Sequence, residues 1–112
     1  MPYYLVQAAY SGDAWGAQIA SPQNRLEQLR PVITGLGGSF SEAYYSFGEY
    51  DIVAIVQFPD NASAAGFSLA ASAGGAVRAF KTTPLMTIDE GIEAMSKAGS
   101  SRYRPPGGEG CI

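Results

Sequence analysis

The chain contains no histidine. That absence excludes a histidine-ligated haem, a Ser/His/Asp triad, an HExxH zinc site and most other transition-metal centres, because each needs an imidazole as ligand or proton carrier near neutral pH. A single cysteine, Cys111, excludes an internal disulfide framework and a zinc ribbon. Charge is scarce too: 15% of the 112 residues are charged, against ~25% in an average soluble protein. A domain of this length buries roughly two thirds of the surface its unfolded chain exposes, and charged side chains normally cover much of the remainder. Here they are too few.

Seven basic and ten acidic side chains give a net charge of -3, with no run of like sign. A phosphate-tracking surface needs clustered Lys and Arg, and the nearest approach is Arg102 with Arg104, so the sequence argues against nucleic acid as a partner. The longest stretch poor in charge, from Phe58 to Val77, is rich in Ser, Ala and Gly rather than in large apolar residues, which argues against a membrane span. Met1-Pro2 leads directly into Tyr3-Tyr4-Leu5-Val6, without a basic segment or a long apolar one, and reads as a cytoplasmic start. Nothing in the composition asks for a cofactor.

What is present is a succession of strand and helix signals. Tyr3 to Tyr10 reads as a strand, and Ser11-Gly12-Asp13 as a turn in which Asp13 caps one or two helical turns through Trp15 and Ile19. Ser21-Pro22 places a hydroxyl cap before a proline at the first helical position. Leu26, Leu29, Ile33 and Leu36 then recur at helical spacing up to Gly37-Gly38. Pro31 lies inside that pattern and predicts a kink. Ser39 to Phe47 and Tyr50 to Phe58 form a predicted hairpin about Gly48-Glu49. Asp60 caps a helix carrying Ala62, Ala65, Phe67, Leu69 and Ala73, which Gly74-Gly75 stops. Val77 to Met86 is a fourth strand, and Pro84, which cannot donate to a ladder, assigns it to a sheet edge. Thr87-Ile88-Asp89-Glu90 is a capping box opening a last helix with Ile92 and Met95 on one side.

Strand, helix, strand, strand, helix, strand is the split βαβ order. The predicted class is therefore α+β: a ferredoxin-like βαββαβ domain with a four-stranded antiparallel sheet and an extra C-terminal helix over residues 1–98, then an extended Gly/Pro-rich tail over 99–112. Right-handed crossovers put the first and third strands at the centre. Both main helices then cover one sheet face, and the other should turn polar in a monomer. It does not: Val53 and Ile55 oppose Ile52, Ala54 and Val56, and Leu5 and Ala9 oppose Val6 and Ala8. An apolar face of this size predicts a homodimer with open faces packed together. The alternative is a monomer whose last helix and tail fold over that face.

Gly48, Tyr50 and Asp51 at the start of the third strand, followed by an apolar strand and Pro59-Asp60, resemble the GYD domain family. Arg25-Leu26-Glu27, Leu36-Gly37-Gly38, Ala73-Gly74-Gly75-Ala76-Val77 and Lys81-Thr82-Thr83-Pro84-Leu85 extend the resemblance over residues 3 to about 106, with Glu49 inserted between the Gly and the Tyr. The resemblance implies a dimeric α/β barrel, in which two ferredoxin-like sheets close around an interfacial cavity. It implies no activity, since related families include cofactor-free monooxygenases, isomerases, haem enzymes and stress-response proteins.

Two functions are consistent with these residues: a dimer binding a small apolar or aromatic ligand, or a cofactor-free enzyme of monooxygenase or isomerase type. For catalysis, Asp51 is the candidate general base and Tyr50 the hydroxyl that places a substrate. The structural reading makes Asp51 an acceptor of backbone N–H groups and Tyr50 a strand aromatic. Tyr45 belongs to a group of tyrosines suited equally to stacking a ligand or to an interface. Gln7 and Gln57 share the predicted open face, where they orient a ligand or bond to each other across the dimer interface. Lys81 offers an anion site or guards an edge strand, and Trp15 is a pocket lid or the cover of the first helix. Arg25, badly placed for its helix dipole, invites a carboxylate such as Asp51 or Glu49, or is an ordinary surface arginine.

Overall fold

In the computed structural model, which describes residues 1–106, the chain runs β1 (Tyr3–Tyr10), α1 (Gly12–Ala20), α2 (Arg25–Gly35), β2 (Ser39–Tyr45), β3 (Ile52–Gln57), α3 (Asn61–Ala73), β4 (Val77–Leu85) and α4 (Ile88–Ser100). Cys111 and the tail from residue 107 lie outside the described residues. The four strands pair antiparallel in the order β2-β3-β1-β4. The first and third strands are thus central, and Pro84 sits on an edge, opposite Tyr4. The one or two helical turns expected after β1 form a nine-residue helix, α1, so the element order has one helix more than βαββαβ before its C-terminal helix.

Capping chemistry sets the helix starts, and two differ from those predicted. Ser11, not Asp13, caps α1: its extended backbone lets Oγ accept the Ala14 N–H at 3.1 Å. Ser21 ends α1 instead of starting α2, its own N–H bonding to the Ala17 carbonyl. Asn24 takes the capping role, Oδ1 accepting from Leu26 N and Glu27 N at 3.1 and 3.3 Å. An amide carbonyl nearer the apolar stripe outcompeted the Ser-Pro pair. Helix α2 runs unbroken through Pro31, whose exposed position leaves the carbonyl that lost its partner to water. Asp60 and the Thr87/Glu90 capping box hold α3 and α4 as predicted. The hairpin strands are each shorter than expected, because residues 46–51 form a bonded loop: Ser46 N–H donates to the Asp51 carbonyl at 2.8 Å and Ser46 Oγ to the Tyr50 carbonyl at 2.7 Å.

Alternation along the central strands puts Tyr4, Val6, Ala8 and Tyr10 with Ile52, Ala54, Val56 and Phe58 on one face, all buried. Ile33 of α2 and Ala64 and Phe67 of α3 pack onto them. Each fully buried large apolar side chain contributes about 1.5–3 kcal/mol. Of the α3 residues singled out in sequence only Phe67 turns inward; Leu69 is 72% exposed. Ring contacts run from Tyr4 to Phe58, Phe67 and Phe80, with centroids 5.8–5.9 Å apart. Two hydrogen bonds fasten α3: Tyr4 Oη to Asn61 Oδ1 and Ser68 Oγ with Thr82 Oγ1, both 2.6 Å. Gly37, at φ +82°, reverses the chain after α2, and Gly38 follows where a Cβ would stand 2.5 Å from the Gln57 carbonyl oxygen.

The opposite face carries Leu5, Gln7, Val53, Ile55, Gln57, Thr83 and Leu85, all partly exposed, and no helix packs over it. In particular, α4 does not fold back across it.

Candidate functional site

The end of the sheet at Tyr10 gathers most of the polar side chains of interest. Asp51, just before β3, accepts the Tyr10 backbone N–H at 2.9 Å and the Trp15 Nε1–H at 3.1 Å, both through Oδ2. Its own N–H donates to the Ala8 carbonyl at 2.8 Å. The Trp15 ring meets the Tyr10 ring edge-on at 5.4 Å. The carboxylate therefore ties α1 to the sheet, and Trp15 covers the ring of Tyr10. Tyr50 is half-buried, and its carbonyl accepts from Ser46.

Beneath the helices, an apolar cavity of about 80 Å³ lies between the sheet and α2 and α3. Leu26, Leu29, Phe67 and Phe80 line it, and Tyr10 and Arg25 bring its only polar tips. Tyr10 and Arg25 also border the adjoining groove between α1 and α2, so they stand where cavity and groove meet. Tyr10 is 5% exposed and its hydroxyl has no hydrogen-bond partner among the described residues. Burial raises its pKa above the ordinary phenol value; Tyr45 and Asp51 add to the rise and Arg25 opposes it. Arg25 does not find the carboxylate expected for it. Its Nη1 donates to the Gln28 amide oxygen at 2.8 Å, one turn along its own helix, while the ion pairs among the described residues are Arg30 with Glu27 and Lys97 with Glu93. Glu49 instead lends its carbonyl to Arg78.

The residues named from sequence thus divide into two groups. Asp51, Trp15, Tyr45 and Arg25 surround Tyr10, with Tyr50 adjacent in the chain. Gln7, Gln57 and Lys81 lie on the open face, where Lys81 stands opposite Gln7. Gln7 is opposite Val53 and Gln57 opposite Tyr3. The two amides are four register positions, or ~13 Å, apart and do not meet within one chain. Gln57 donates to the Met1 carbonyl at 3.4 Å. Tyr10 was read from the sequence only as one of the group of tyrosines to which Tyr45 belongs, without a role of its own. Its signal was the inward alternation of Tyr4, Val6, Ala8 and Tyr10, which ends in a phenol at the helix-covered edge of the core. No group of three or more potential metal ligands occurs among the described residues, and none of the described helices is long and apolar enough to cross a membrane.

Fold and site together define an α+β domain, with a four-stranded antiparallel sheet and four helices, whose cavity lies on the helix side of the sheet. The chain belongs to the GYD domain family, whose pattern matches residues 4–95. No curated protein and no solved structure matches it.

Proposed function

We propose that this GYD-family protein is a cytoplasmic homodimer of the ferredoxin-like, dimeric α/β barrel type that binds a small apolar or aromatic ligand. The observation that carries the binding reading is a tyrosine hydroxyl and a guanidinium, neither paired with a carboxylate among the described residues, at the mouth of an apolar cavity. Apolar walls with a few convergent polar groups are what a small-molecule site requires. On this reading the ligand lies on the helix side of each sheet, whereas the family resemblance pointed to the interface between sheets. The open faces, with Gln7, Gln57 and Lys81, supply the dimer contact. Size limits the ligand: 80 Å³ is about half the volume of the ~150 Å³ apolar cavity that admits benzene, so a single ring enters with a small outward movement of α2. Two donors on Asp51 Oδ2 favour the structural role of that carboxylate over the catalytic one.

The test uses fluorobenzene and 4-fluorobenzoate as probes in ¹⁹F NMR. Both resonances broaden with the wild-type protein and recover with Leu29→Trp, which fills the cavity; Arg25→Ala weakens only the benzoate. Unchanged lines for both probes at millimolar concentration refute the site. Light scattering of the same sample checks the dimer, and a monomer mass at micromolar concentration refutes it.

A further inference from the structure

Helix α4 has no place in the fold of its own chain. None of the other elements packs along it, and Ile88, Ile92 and Met95 are 82%, 54% and 68% exposed. Spaced four and then three residues apart, they form a single stripe on one side of the helix. The opposite side carries Glu93 and Lys97, paired at 3.3 Å. The stripe is thus the apolar half of an amphipathic helix with nothing against it.

Three further observations say what covers it. First, a 13-residue helix in water is marginal, since isolated helices shorter than about 12–15 residues lack the length to offset nucleation. A capping box and one exposed ion pair add little, so its order needs tertiary contact from elsewhere. Second, the molecule extends 59 × 29 × 22 Å with a radius of gyration of 18.1 Å, whereas a compact chain of this length has one of about 13 Å. Third, the chain exposes 7579 Å², where a compact monomer of 11.7 kDa exposes ~5,900 Å². The excess, which α4 shares with the open sheet face and residues 101–106, is about twice the ~800 Å² that each partner buries in a standard stable interface.

We infer that α4 is an exchanged arm: in the homodimer each copy lays its Ile88, Ile92 and Met95 stripe on the body of the other. The inference rests on the proposed dimer and goes beyond it, because it assigns a partner contact to α4 as well as to the open face. Reciprocal exchange follows from the two-fold symmetry of such a dimer, since a patch offered by one copy is offered by both.

The test places a photo-crosslinking residue at Met95 in the full-length chain and refolds a one-to-one mixture of natural-abundance and ¹⁵N-labelled protein. Mass spectrometry of the crosslinked product then reads who is bound to whom. Arm exchange gives light–heavy adducts as about half of all adducts. Adducts confined within single chains overturn the inference, showing that the arm folds back. A dimer mass without adducts also overturns it, while leaving the open-face dimer standing. A monomer mass for the unmodified chain overturns both.

Discussion

Replacing Asp51 by Ala separates a structural carboxylate from a catalytic one. The substitution removes the acceptor for two donors, the Tyr10 backbone N–H at 2.9 Å and the Trp15 indole N–H at 3.1 Å. Tyr10 is buried, so its N–H has little water to replace the lost bond. An unsatisfied buried donor costs about 1–3 kcal/mol, and the half-buried indole, with some access to water, falls at the low end of that range. Together the loss is ~2–4 kcal/mol, to which loosening of the Tyr10–Trp15 ring contact adds. For a domain of this size that lowers Tm by about 10–20 °C. Urea unfolding followed by Trp15 fluorescence reads the change directly, because Trp15 is the only tryptophan in the chain and sits at the affected contact. Protein concentration is held fixed, since an assembling chain has concentration-dependent stability. Asp51→Asn keeps an oxygen acceptor in nearly the same place and loses less than half as much. A loss below about 0.5 kcal/mol for the alanine variant refutes the structural role. It would return Asp51 to the chemistry its motif suggested.

Other perturbations probe separate parts of the fold. Gly38→Ala forces a Cβ to 2.5 Å from the Gln57 carbonyl oxygen and 2.8 Å from the Phe58 ring; because the nearest atom is backbone, the strand must shift, and thermal denaturation should show a loss of about 2–3 kcal/mol. An unchanged Tm means the α2–β2 joint is looser than drawn. Tyr10, whose folded pKa is raised, contributes stability that is complete below the unfolded phenol value near 10 and lost as pH rises through the folded one. Tyr10→Phe removes this component, so the wild-type stability should fall more steeply than the variant's above pH 10; parallel curves contradict it. Ile92→Asp with Met95→Asp changes side chains that touch nothing in their own fold. The dimer dissociation constant should nonetheless rise at least ~100-fold by analytical ultracentrifugation, from two buried side chains at about 1.5 kcal/mol each. No change in dissociation means the stripe is not at the interface.

The element types, the edge position of the strand bearing Pro84, the Asp60 cap and the Thr87/Glu90 box were all legible in the sequence. They depend on local chemistry: a cap is decided within four residues, and a proline forbids a ladder bond wherever it lies. Alternation in β1 and β3 likewise revealed an apolar second face, since the period of a strand is fixed by its backbone. Competition between neighbours escaped the reading. Whether Ser21 or Asn24 starts α2, and whether Ser11 or Asp13 starts α1, depends on which cap leaves the apolar stripe facing the sheet.

The candidate site was less legible still. Glycine, tyrosine and aspartate at the hairpin marked the place, but their partners lie 36 and 41 residues away in the chain. Only folding sets Trp15 and the Tyr10 amide on Asp51, turns the Arg25 guanidinium toward Gln28, and leaves the Tyr10 hydroxyl alone at the cavity mouth. The sequence by itself determined an α+β domain of the GYD family with too little charge for its surface. The tertiary structure decided where that shortage falls, on the open sheet face and along α4, because exposure belongs to no residue until the rest of the chain has packed around it.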